Sequence, residues 1–128
     1  MYLTIDLSSF GLIKFKLLGD QVVREKAVSG GNRDLLKCID VFLTDSRVRP
    51  DELKGLAVVT GKVSFTGARI ATVVANTFGF VLNIPLLQIS EADLAAAPTV
   101  VEKFKRAPRG RYLTASYSGE PNIGKYVI

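Results

Sequence analysis

Chemistry on a protein needs side chains that can hold a proton, an electron pair or a metal, and this 128-residue chain offers few of them. It has no histidine and one cysteine, Cys38. Without imidazole there is no Ser–His or Cys–His nucleophile pair, no zinc site with imidazole ligands and no switch at physiological pH. Carboxylate or lysine chemistry stays open, but the twelve acidic residues form no obvious pair. Cys38 falls within a helical apolar stripe and reads as a small buried hydrophobe rather than a nucleophile. Standing alone, it permits no intrachain disulfide, which fits a reducing, cytoplasmic setting.

The formal charge of +5 and a pI near 9.5 favour approach to a polyanion such as tRNA. At this modest excess, solubilising surface charge is the simpler role. No basic run interleaved with aromatics marks a dedicated nucleic-acid surface; the nearest is Lys103, Lys105, Arg106, Arg109 and Arg111. A hydrophobic fraction of 48% with 23% charged residues suits one globular domain and argues against disorder throughout. No basic segment with a small-residue cleavage site opens the chain. The uncharged stretch 70–89 is long enough to span a bilayer. Asn76 and Gln88 interrupt it, and Asn83-Ile84-Pro85 divides it into a helix and a strand, so two core elements are expected and no membrane span.

These elements must be positioned by a scaffold whose order is legible. Leu3, Ile5 and Leu7 alternate with polar residues, as do Ile13, Phe15 and Leu17 between Lys14 and Lys16. With Gly19-Asp20 as a hairpin turn and a third strand over 21–28, the chain opens as an antiparallel meander. Asn32 is a candidate N-cap for a helix to about Ser46, carrying Leu35, Leu36, Ile39, Phe42 and Leu43 at helical spacing. A helical turn follows Pro50. Leu56 to Val59 is a continuous apolar run, as in a strand buried on both faces. The loop 60–64 leads into a helix over 65–82, capped by Ser64 or Thr66, that is apolar nearly all round with Arg69 its only charge. Its small residues Gly67, Ala71, Ala75 and Gly79 either admit a second helix or lie on the sheet. Pro85 to Ile89 is the next strand. Beyond it come a weaker helical stretch over 92–107, interrupted by Pro98, and an extended tail with Tyr112, Tyr117 and Tyr126. The order β-β-β-α-β-α-β predicts an α/β fold, a mixed sheet with helices on its faces.

That order, with Asp6 in the first strand just before its turn, is similar to the ribonuclease-H-like, actin-like half-domain of the actin, sugar-kinase and heat-shock ATPase superfamily. Val59-Thr60-Gly61-Lys62-Val63-Ser64-Phe65-Thr66-Gly67-Ala68-Arg69-Ile70 resembles the G-x-G-P-G-S-F-T-G-L-R-I-G hallmark of the bacterial TsaB (YeaZ) family. Ile5-Asp6-Leu7-Ser8 looks like that family's opening D-T-S strand, and Ile84-Pro85-Leu86-Leu87-Gln88-Ile89-Ser90 its G-I-P-L-x-x-V-S strand. The likeness covers about residues 1–95, an N-terminal actin-like domain, with 96–128 a helix and extended tail. Three departures stand out. No second domain, usual in the family, is expected here; Gly-Pro-Gly is reduced to Gly61-Lys62-Val63; and the N-H-S-E start of the first helix becomes Asn32-Arg33-Asp34.

The resemblance implies a non-catalytic, cytoplasmic subunit that supports threonylcarbamoyladenosine modification of tRNA and meets tRNA only indirectly. It implies that the helices over 32–46 and 65–82 pair with the same helices of a TsaD-like subunit or of a second copy. Both helices also carry apolar stripes wider than one sheet contact needs. The expected contact residues are Leu36, Ile39, Leu43, Phe65, Ala68, Arg69, Thr72 and Asn76; for each apolar one the competing role is the chain's own core. In the superfamily nucleotide lies between two such domains, so Asp6, Gly61 and Lys62 would face it here. Asp6 would organise a hydrated cation or, more simply, bond nearby backbone N–H groups, and Lys62 would meet an anion or water. No cofactor is expected, with ATP and Mg²⁺ possible only at a site shared with a partner. Two further readings compete: a small ATPase completed by homodimerisation, and a diverged homodimer with an interaction role alone.

Overall fold

The computed structural model describes residues 1–9, 11–19, 21–29, 34–59 and 65–114, and of Phe65 the backbone alone. Five strands, β1 (Tyr2–Asp6), β2 (Leu12–Leu18), β3 (Val22–Ser29), β4 (Gly55–Val59) and β5 (Leu86–Ile89), form one sheet in the order β3-β2-β1-β4-β5. The β1–β2 and β2–β3 pairs are antiparallel, whereas β1–β4 and β4–β5 are parallel. This is the mixed α/β sheet expected from the element order. Gly11, at φ 74°, opens β2, and the Leu12 amide donates to the Ser9 carbonyl at 3.1 Å. The Gly30-Gly31-Asn32 turn, Ser64 as a cap and most of the tail lie outside the described residues.

Alternation distributes the side chains of the strands other than β3 between two cores. Leu3 and Ile5 of β1, Ile13, Phe15 and Leu17 of β2, and Leu56 and Val58 of β4 face helices α1 (Leu35–Asp45) and α2 (Phe65–Leu82). Phe15 stacks on Phe42 of α1 with ring centroids 5.3 Å apart. Ala57, Val59 and Ile89 face the other way, toward Leu94 of α3 (Glu91–Leu94) and Val100, Val101 and Phe104 of α4 (Ala97–Arg106). This second layer is why β4 is apolar on both faces. The helical stretch over 92–107 is divided, as expected, into α3 and α4; the break falls at 95–96, and Pro98 lies in the first turn of α4, where no intrahelical N–H bond is lost.

The helix ends follow local rules. Arg47 stands at φ 58° after α1; its amide bonds the Thr44 carbonyl at 3.0 Å and that of Val48 bonds the Leu43 carbonyl at 2.9 Å, a Schellman closure. Asn83, at φ 53°, ends α2 just before Ile84-Pro85. Ser90 and Asp93 form a reciprocal capping box on α3, with Asp93 N–H to Ser90 Oγ at 3.1 Å. Among the described residues no helix is long and apolar enough to cross a membrane.

Candidate partner interface

The side of α2 that touches the sheet is set by its small residues. Ala71 and Ala75 are fully buried, and a Cβ on Gly79 would stand 2.7 Å from Leu86 Cδ1. The row therefore lies on the sheet and is not available to another helix. One consequence is geometric: at about 100° per residue, positions 73, 77 and 80 lie on the far side and 81 on the flank. They carry Val73, Thr77, Phe80 and Val81, and the three apolar ones are 65%, 74% and 69% exposed. On α1, Leu36 is 59% exposed and lies with Val81 along one groove, which Val73 and Phe80 do not line. Between the helices runs a groove of about 750 Å³ lined by Leu36, Thr77, Phe78 and Val81, with Lys37 and Asp40 giving it both signs of charge.

The expected contact residues divide sharply. Leu36 and Arg69 are exposed. Ile39, Leu43 and Ala68 belong to the chain's own core, as does Thr72 by its burial, although Ile39 and Leu43 also floor the groove. Asn76 is engaged within the chain: its Nδ2 donates to the Leu113 carbonyl at 3.0 Å, and its Oδ1 accepts from the Leu113 N–H at 2.7 Å. The Phe65 side chain lies outside the described residues. Among the described residues, the large apolar side chains that these helices leave exposed are Leu36, Val41, Val73, Phe80 and Val81. Sequence inspection passed over the last three because α2 is apolar on every side. The signal that finds them is the alanine-glycine row, whose opposite side and flank they occupy.

Of the residues expected near nucleotide, Asp6 alone is among the described ones. Asp6 is buried at the C-terminal end of β1, where its Oδ1 accepts the Ser8 backbone N–H at 2.8 Å and the Ser8 hydroxyl as well. Those bonds engage one carboxylate oxygen locally, as in an Asx turn. Gly61 and Lys62 lie outside the described residues. Cys38 is half-buried on α1 against the main core.

Comparison with known proteins bears on the fold and the family. Residues 22–116 match the family model described as TsaD: tRNA N6-adenosine threonylcarbamoyltransferase. The tRNA threonylcarbamoyladenosine biosynthesis protein TsaB of Bacillus subtilis is 25% identical over 134 aligned positions, covering 98% of this chain and 58% of that protein. YeaZ from Pseudomonas aeruginosa superposes with a TM-score of 0.61 at 26% identity, over 70% of this chain and 42% of that one. A second Pseudomonas aeruginosa structure, of an uncharacterised protein with similarity to peptidase YeaZ, gives 0.58 at the same identity and coverage. The chain spans about half the length of these relatives. With an actin-like mixed sheet, two helices packed on one face and a family match over most of its length, the chain belongs to the TsaD-type tRNA threonylcarbamoyltransferase family, where it corresponds to the N-terminal part of a TsaB (YeaZ) protein.

Proposed function

We propose that this protein is a non-catalytic subunit in the biosynthesis of threonylcarbamoyladenosine on tRNA, and that it acts by presenting the outer face of α1 and α2 to a TsaD-like subunit. The observation that carries the reading is the exposed apolar stripe Val73, Phe80 and Val81 beside Leu36, flanking a groove in a chain that already has two covered cores. Apolar surface of this kind stabilises an assembly by about 25 cal/mol per Å² before association costs are subtracted. Arg69 and the opposed charges of Lys37 and Asp40 would then set register rather than affinity. Asp6, bonded to Ser8, supports a structural role for the strand end.

Light scattering of the protein alone and mixed with a TsaD-like subunit tests the reading. Substitutions belong on the exposed stripe, since a charge at Ala68 or Thr72 would be driven into the core. Val81→Arg and Leu36→Arg are expected to leave the circular dichroism spectrum and unfolding midpoint nearly unchanged while abolishing assembly. Assembly that survives both substitutions refutes the proposed face. A self-associating protein that never binds a TsaD-like subunit would support an interaction-only homodimer instead. Micromolar binding of Mg-ATP to the isolated protein would point to an ATPase.

A further inference from the structure

Helix α4 spends its apolar side on the sheet: Val100, Val101 and Phe104 are buried, and Phe104 stacks on Tyr2 at 4.6 Å. Its remaining side, with the turn that follows, carries Lys103, Lys105, Arg106, Arg109 and Arg111, five basic residues with no acid between positions 103 and 111. All five are exposed. Lys103 is drawn to Asp93 at 3.1 Å, and Arg106 only grazes Glu102 at 3.9 Å. The chain's whole formal excess is +5, so this short segment holds a large share of the unbalanced charge.

The segment after the helix is held in place. Gly110 turns at φ 81°, Leu113 is clasped by the Asn76 carboxamide on α2, and the Gln88 side chain on β5 bonds the Thr114 carbonyl. Tyr112, between Arg111 and that clasp, is left 51% exposed. A basic face thus ends beside an outward aromatic ring on an anchored backbone. The aromatic inside the basic run, Phe104, belongs to the core, so the useful ring lies just past the run.

We propose that this face binds RNA, with Lys105, Arg106, Arg109 and Arg111 meeting backbone phosphates and Tyr112 stacking on an unpaired base. Guanidinium forks suit phosphate oxygens, and a base has a π-face that a tyrosine ring can cover whatever its sequence. A lipid surface fits less well, because the apolar side of α4 is already buried and leaves nothing to insert. Helix α4 lies across the sheet from the α1–α2 groove, and the chain after it crosses to Asn76 of α2. None of Lys105, Arg106, Arg109, Arg111 and Tyr112 lines that groove, so substitutions here test the face separately from the partner reading.

The test is fluorescence anisotropy of the full chain with a labelled single-stranded RNA of mixed sequence, read between about 50 and 200 mM salt, where phosphate contacts dominate. Lys105→Gln with Arg109→Gln and Arg111→Gln is expected to weaken binding at least about tenfold and to reduce the salt slope by about 2. Tyr112→Ala is expected to cost about tenfold on the same RNA with the slope unchanged. A control of equal charge change, Arg24→Gln with Lys26→Gln and Arg47→Gln, should bind as the parent does. Absence of saturable binding at low salt overturns the proposal. So does a control that loses as much affinity as the triple variant, or a Tyr112→Ala variant that binds as the parent. Equal competition by polyglutamate or by anionic vesicles would reassign the face to unspecific charge.

Discussion

Gly55 shows how one residue can fix a layer. It opens β4 under the stacked rings of Tyr2 and Phe104, and a Cβ there would stand 2.5 Å from Phe104 Cδ1 and 3.0 Å from Tyr2 Cδ1. Both rings are packed, so neither can swing aside without opening a void. Gly55→Ala is expected to destabilise the protein by about 1–3 kcal/mol, the usual cost of overpacking, read as a lower urea midpoint with unchanged slope. Arg47 is the opposite case. It is exposed, and its φ of 58° suits glycine better than a residue with a Cβ, while the Schellman bonds are made by backbone alone. Arg47→Gly should therefore stabilise the fold by about 1 kcal/mol, visible as a raised melting temperature.

At the scale of elements, the short helix α3 matters because it couples β5 to α4. Asp93 closes the capping box with Ser90 and also receives Lys103 of α4. The hydrogen bond from Lys103 and, after it, that from the Ser90 N–H hold the Asp93 carboxyl below its ordinary 3.8. A carboxyl lowered in the folded state adds stability above its unfolded value, and that contribution disappears as pH falls through the folded value. Asp93→Asn should thus unfold at lower urea than the parent at pH 7. The two curves should converge once the pH drops well below about 4, and a gap that persists there would locate the effect in packing. On the other face, α2 does two things with one sequence: its small side settles on β4 and β5, and its large side, Val73, Phe80 and Val81, remains outward. That is why the candidate interface is a property of the helix's rotation and not of its composition.

For the whole molecule, the sheet is a partition between two cores, and each needs its own cover. Helix α4 and Leu94 cover Leu18, Ala57, Val59 and Ile89. A chain shortened to residues 1–95 would leave most of that apolar surface wet. It is expected to lose cooperative thermal unfolding and to bind an apolar dye such as ANS, whereas the full chain should unfold in one transition and leave the dye unbound. The edge strand β3 presents Arg24, Glu25 and Lys26, with Lys16–Glu25 and Lys26–Asp45 pairs at 3.7 Å, the usual protection of an open edge against further strand pairing.

The sequence by itself determined the elements and their order. Period-two alternation in β1 and β2, the run Leu56 to Val59, and the helical spacing from Leu35 to Leu43 each carry their structure locally, and the signature around Ser64 to Ile70 carried the family. Only the tertiary structure decided which residues are left for a partner. Ile39, Leu43 and Ala68 are as apolar as Leu36, Val73 and Phe80, yet the first three are buried and the others exposed. Apolar transfer is non-directional, so a side chain's character says that it seeks cover but not which surface supplies it. The rotation of α2 on the sheet, set by Ala71, Ala75 and Gly79, and the clasp of Asn76 on Leu113 make that choice.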